Sequence, residues 1–430
     1  MAPLPRGKMF DLLMKAQAGF KTAATGDYAR THAYSAAFGE SFGLPDDPLL
    51  NPPRVNDRDM TDPAPDVHRH TGRLSVPLCI RHIGHWLTGA FGAAVTSAVA
   101  AAGAIVFASQ PDAGSTITVN GVAFTFVAAD PVGDEILIGA TLADTIDNIE
   151  TALNASLDAD VAAATYAAAA GTTINVTHDT AGPTGNAFAL ATSAASHGTA
   201  SGATLAGGCY SHVFTSGADD LPAFSLEERL RTAATGAAKY RRHLGVMVNS
   251  LAFKMQFSEG YGRVDVETVG WKEEAATGAS QGGAPTALAL SQVPAVKGVL
   301  AIADVAVVPL LSLDGTYANN LAPLDYVADE EYVSGFDPGD AAFSGTVRLR
   351  DVDETFYDYG RSGGVLDAEL RYVVSPAASL TIAAPRMRLQ KATRSVNGPG
   401  AVEMDFPFRC GQDASGAMLT ATLKNDVASY

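Results

Sequence analysis

Four histidines crowd one short stretch, His68, His70, His82 and His85, with Cys79 among them. Imidazole and thiolate are favoured zinc ligands, and His82 and His85 are spaced to share a helix face. But His68 and His70 flank Arg69, with Arg73 and Arg81 close by, and cations oppose a metal ion. No carboxylate pattern completes a ligand set, so solvated or interface histidines are expected. Gly360-Arg361-Ser362-Gly363-Gly364 has the GxSxG spacing of a nucleophile elbow. That chemistry needs a histidine later in the chain, and the nine histidines end at His243. The expectation is a glycine turn between Tyr359 and Val365. Asp351-Val352-Asp353-Glu354 lacks the spacing and sharp-turn glycine of a calcium loop and reads as a strand end or helix cap. There is no Walker loop and no GxGxxG after a strand. No nucleophile or acid–base set is coherent, so no enzyme, metal or cofactor is expected.

The elements that carry these residues are strands and turns more than helices. The 430 residues are 47% hydrophobic and only 17% charged, with a net charge of −17. That gives ample core material and excludes a disordered chain. The acidic balance argues against a protein that grips phosphates, because that affinity comes from Lys and Arg. Cys79, Cys209 and Cys410 are too few and too scattered for a disulfide scaffold or a thiolate zinc site. Met1–Phe20 is interrupted by Arg6, Lys8, Asp11 and Lys15 and lacks a signal-peptide core. Trp86–Ser109 is uncharged, but its Ala, Gly, Ser and Thr supply little transfer free energy, so no membrane span is expected.

Charge locates an insertion. The 114 residues 95–208 contain no Lys or Arg and carry a net charge of −10. They read as a small α+β domain. Strands are expected at Ala104–Ala108, Ser115–Asn120, Val122–Ala128 and Thr172–Thr177, with Asn120-Gly121 as a hairpin turn. Thr141–Leu157 is expected to be a helix with Thr141 as N-cap and Asp144 closing a capping box.

Outside it, residues 1–71 read as an extended arm, because Pro45, Pro48, Pro52, Pro53, Pro63 and Pro65 forbid long regular elements. A helix is expected at Arg81–Phe91 and strands at Ala223–Leu230, Gly245–Phe257 and Arg263–Trp271. In the last of these Val264 and Val266 alternate with Asp265 and Glu267, giving one apolar and one acidic face.

The frame also repeats itself. Gly72–Pro77 resembles Gly345–Arg350, Ser225–Glu227 resembles Ser379–Thr381, and Gly262–Val266 resembles Gly400–Met404. The order is kept, which suggests two copies of one β-module. The domain reading is an arm, 1–71; a first module, 72–94 and 209–274; the inserted domain, 95–208; a linker, 275–299; and a second module, 300–430.

At the level of family, Gly72–Pro77, Trp86–Gly92, Tyr210–Thr215, Leu221–Glu227, Ala384–Leu389 and Gly416–Asp426 resemble tail tube proteins of tailed bacteriophages. The insertion, through Ile117–Phe126 and Gly185-Asn186, resembles a module found in assorted phage tail proteins. The resemblance implies a mainly β fold: two tandem sandwich or barrel-like modules with a short helix each, plus the inserted α+β domain. It implies a structural virion protein, assembled in the host cytoplasm, whose rings stack into a tube.

Partners would be the chain itself, neighbouring tail proteins and the tape measure, with no membrane and only transient, non-adhesive passage of viral DNA. A homotrimer with pseudo-sixfold symmetry is expected, a homohexamer being the alternative. Asp265 and Glu267 are the expected lumen residues, on an acidic wall that repels phosphate. By the repeat, Glu403 and Asp405 are weaker candidates, expected on opposite pleats. An ordinary solvated strand face is the competing reading. Rival functions are another tail component, such as a terminator or baseplate protein, or an adhesin binding host glycans through the insertion.

Overall fold

The computed structural model describes all residues except 1–6, 47–48, 50–61, 232–237, 258–259, 308–309, 327–329, 351–353 and 393–401. Pro48, Pro52 and Pro53, the Asp351–Asp353 stretch and Gly400 therefore lie outside the described residues. The fold is mainly β, and an 18-stranded system forms its frame.

Two copies of one strand order build that frame. In the first, neighbours run Ala29–Thr31, Phe10–Ala16, Phe224–Arg231, Ala238–Gln256, Arg263–Gly270, Arg69–Pro77 and Ser35–Ser41. In the second they run Val305–Ala306, Gly298–Ile302, Val365–Ser375, Ala378–Leu389, Glu403–Cys410, Ala342–Arg350 and Leu310–Ala318. The elements correspond one to one along the chain, and all the pairs are antiparallel. A helix follows the same strand in each copy, Ile83–Phe91 in the first and Thr355–Ser362 in the second.

Several expectations change. Residues 10–41 are not an arm: Phe10–Ala16 and Ser35–Ser41 are module strands, with Leu12 and Met14 in the core. The prolines that exclude regular structure all fall after them. Ser225–Glu227 lies on Phe224–Arg231, whose counterpart is Val365–Ser375, so its match to Ser379–Thr381 pairs two different strands. With Gly72 taken as the counterpart of Gly345, their ladder partners are Thr268 and Phe408. Val264 then corresponds to Met404, two residues further along than the sequence match. A two-residue slip keeps side chains on the same face, so the apolar pattern alone does not detect it.

The modules share one core. Trp86, Leu87, Phe224, Val248, Leu251, Leu313, Tyr317, Phe343, Phe406 and Leu423 belong to a single apolar cluster. Each such side chain, fully buried, contributes about 1.5–3 kcal/mol of transfer free energy. The joint between modules is strand pairing: Ser250–Gln256 pairs with Ser312–Ala318, and Cys209–Thr215 pairs with Thr420–Asn425.

The inserted domain has two four-stranded sheets, one helix and its own core around Ile105, Phe124, Ile146, Ile149 and Val176. Asn120 and Gly121 both have positive φ (45° and 94°), as a two-residue hairpin turn requires. Thr141 caps the helix Leu142–Asn154 in a reciprocal box with Asp144. Val95–Val99, placed in the insertion by its lack of Lys and Arg, instead pairs with Cys209–Thr215 and so extends the frame.

Candidate functional site

Seven strands make a continuous sheet through both modules: Ser35–Ser41, Arg69–Pro77, Arg263–Gly270, the second half of Ala238–Gln256, Leu310–Ala318, Ala342–Arg350 and Glu403–Cys410. One register row crosses all of it: Ser35, Ser75, Asp265, Ala252, Thr316, Ser344 and Arg409. Alternation decides the faces. Val264, Val266, Leu251 and Phe253 point into the core at 0–1% exposure, while Asp265 and Glu267 stand on the open side.

That open face is not purely acidic. Asp265 Oδ2 lies 2.6 Å from Lys254 Nζ on the neighbouring strand. Partial burial opposes its ionisation, but hydrogen bonds from Lys254 and Ser75 and the charges of Lys254 and Arg263 prevail. They hold the Asp265 carboxyl below the usual carboxylate range. Glu267 accepts a hydrogen bond from Ser250 Oγ at 3.3 Å and lies 3.4 Å from Arg73 Nε. Glu403 and Asp405 share one face, not opposite pleats, because residues two apart on a strand point the same way. Both reach Arg348, at 2.6 and 3.7 Å.

Arg73, Lys254 and Arg348 thus belong to the same surface. Their own strands' alternation marks them as outward-facing, but which acid each one meets is set by register between strands far apart in sequence. The outward residues between the charges are small or hydroxylated: Ser75, Ala252, Thr316, Ser344 and Thr346. The face carries charges of both signs and few large apolar groups.

A family profile described as "Phage tail tube protein" matches residues 11–410. The chain belongs to the phage tail tube protein family. Comparison with curated proteins gives no match.

In this tail tube protein the candidate histidines, Cys79 and the Gly360–Gly364 stretch make contacts within the frame. The histidines are dispersed, and the described residues contain no metal-competent His, Cys, Asp and Glu group. His68 Nδ1 pairs with Glu40 at 2.6 Å, while His70 Nε2 meets His243 Nδ1 at 2.8 Å inside the first module. Burial first, then the neighbouring His243, push His70 down to about 4, against a raising contribution from Glu40. His82 faces the Leu288 carbonyl at 3.2 Å, and the Cys79 sulfur accepts the Ser291 N–H at 3.2 Å. Gly360, Arg361 and Ser362 end the second module's helix, and Gly363 caps it in the left-handed region at φ 63°. The glycine turn expected there is this helix terminus. No helix among the described residues is long and apolar enough to cross a membrane.

Proposed function

We propose that this tail tube chain closes into homotrimeric rings with pseudo-sixfold symmetry, which stack around the tape measure into a siphovirus-type tail assembled in the host cytoplasm. The observation that carries the reading is the repeated strand order, joined within the chain by the pairing of Ser250–Gln256 with Ser312–Ala318. One chain then supplies two successive ring positions, and three chains supply six.

The open sheet face would line the channel, with Asp265, Glu267, Glu403 and Asp405 on its wall. Their contacts with Lys254, Arg73 and Arg348 support a wall that limits adhesion by charge balance as much as by repulsion. Small outward side chains leave few aromatic groups for DNA to stack on during ejection. The work proposed is mechanical, and no catalytic step is assigned. The inserted domain, with its separate core, would decorate the outside.

Electron microscopy of the purified protein tests the reading. Stacked rings with three chains and six similar lobes are expected. Six chains per ring would establish the homohexamer, and discrete single rings that never stack would favour a terminator-like role.

A further inference from the structure

We propose that Arg30, Arg229 and Arg231 of the first module form an oxyanion site, and that a phosphate group is the ligand it takes. The site stands apart from the ring reading above and does not depend on it.

The three arginines share one face. Leu12 and Met14 turn into the core, so Asp11 and Leu13 on the same strand point the other way. Arg229 stands opposite Asp11 in the ladder, and Arg30 stands opposite Leu13. Arg231 follows two residues after Arg229 and keeps its pleat. Burial first, and then the charge of Arg30, hold His32 below its ordinary value, with Asp11 opposing them. Arg30 and Asp11 therefore lie beside the same ring.

The charges on this face do not balance. Asp11 Oδ2 lies 3.3 Å from Arg229 Nη1 and 3.9 Å from Arg231 Nη2, so one carboxylate serves two guanidinium groups. Arg30 has no ion pair among the described residues, and the Nε atoms of Arg30 and Arg229 are buried without a hydrogen-bond partner. Glu227 shares the face but is engaged elsewhere: it accepts from Ser280 Oγ and the Gln281 N–H, both at 2.6 Å. Glu228 turns to the opposite face, 3.7 Å from His243.

The second module supplies an internal control. Val299 stands opposite Arg371 as Asp11 stands opposite Arg229, and Glu369 precedes Arg371 as Glu227 precedes Arg229. There the balance is made within the chain. Arg371 Nε donates to Glu369 at 2.6 Å, and the same guanidinium pairs with Asp304. The first module keeps the arginine, adds two more, and lacks the second carboxylate.

Three cations against one carboxylate leave room for a dianion, although the chain as a whole is acidic. The planar guanidinium fork matches the oxygen spacing of phosphate. Arg229 also lies over the Tyr240 ring, 5.8 Å from its centroid, which limits its freedom before a ligand arrives. The Arg229 and Arg231 side chains are 20% and 26% exposed, so an ion reaches them from solvent. The strands that carry the site, Ala29–Thr31, Phe10–Ala16 and Phe224–Arg231, are not among the seven of the face proposed to line the channel. The phosphate is therefore a free ion or a group on a larger molecule outside that channel.

Calorimetric titration of the unassembled full chain with inorganic phosphate, at low ionic strength, tests the site. One saturable site is expected. Arg30→Gln should weaken it about tenfold or more, as loss of a charged hydrogen-bond donor does. Arg371→Gln should leave it unchanged. Phosphate heats no larger than those of chloride, or an equal loss in Arg371→Gln, would overturn the proposal. Hydrogen exchange on the unmodified protein covers the case in which Arg30→Gln does not fold. Phosphate should slow the amides of Phe224–Arg231 and leave those of Val365–Ser375 as they were. Unchanged exchange in Phe224–Arg231 at saturating phosphate would also overturn it. Glycerol phosphate separates the two sources. Affinity equal to that of inorganic phosphate would support a site open to a phosphate on a larger molecule, and inorganic phosphate binding alone would support a free-ion site.

Discussion

Gly89 and Gly360 occupy the same place in the two modules, Gly89 letting its helix lie on the long strand of the first module and Gly360 letting its helix approach the backbone just past the end of the second module's long strand. A Cβ at Gly89 would sit 2.5 Å from Val248 Cγ2, and one at Gly360 would sit 2.9 Å from the backbone oxygen of Gln390. Gly→Ala within a helix ordinarily gains about 1 kcal/mol. Here overpacking at about 1–3 kcal/mol opposes that gain. Gly360→Ala, which meets backbone, should lower the thermal midpoint of the unassembled chain. A midpoint that rises would show that the helix has room to lift.

Asn319 ties the modules together by donating to Ala90 and Val248. Asn319→Ala leaves those two buried carbonyls without that donor. A loss of about 1–3 kcal/mol is expected in chemical denaturation. An unchanged midpoint would mean that water replaces the amide.

The inserted domain should be separable. Val99 and Cys209 are direct ladder partners, so its two ends leave the frame side by side. Removing residues 101–207 with a short Gly/Ser join, while keeping Val95–Val99, should leave a folded chain that still assembles. A folded chain that no longer forms tubes would make the domain an interface.

On the face proposed to line the channel, Asp265→Lys with Glu267→Lys places new cations beside Lys254 and Arg73. Assembly should persist, because both positions are half exposed and exposed ion pairs contribute at most about 1 kcal/mol. DNA delivery should slow, and the defect should shrink with added salt. Delivery at the wild-type rate would take these residues off the wall.

Acid should weaken the first module. His70 is held neutral in the fold, at about 4, whereas an unfolded histidine titrates near its ordinary 6.5. Between those values the unfolded chain binds more protons. Stability is therefore full above about pH 6.5 and declines as pH falls toward 4, by at most about 3 kcal/mol from this group. The groups facing the pair are Glu40, Glu228 and Glu273, and the carboxylates near His243 can offset part of the loss. Thermal midpoints measured from pH 7.5 to 4.5 should fall less steeply in His70→Gln.

Much of the fold was legible because its signals are local. The alternation of Val264 and Val266 with Asp265 and Glu267, the Asn120-Gly121 turn and the Thr141–Asp144 capping box each need only neighbouring residues to be read. So do the Lys- and Arg-free stretch that marks the insertion, although not its first border, and the repeat centred on Gly72 and Gly345. What the sequence could not supply was who pairs with whom. Phe10–Ala16 and Ser35–Ser41 became module strands only because Phe224–Arg231 and Arg69–Pro77 lie beside them. The acidic face became charge-balanced only because register sets Lys254 beside Asp265 and Arg348 beside Glu403. Strand pairing and ion pairing depend on distance in space, and a shift of two residues leaves every inward and outward pattern unchanged. Local alternation therefore fixes faces, and only the tertiary structure fixes partners.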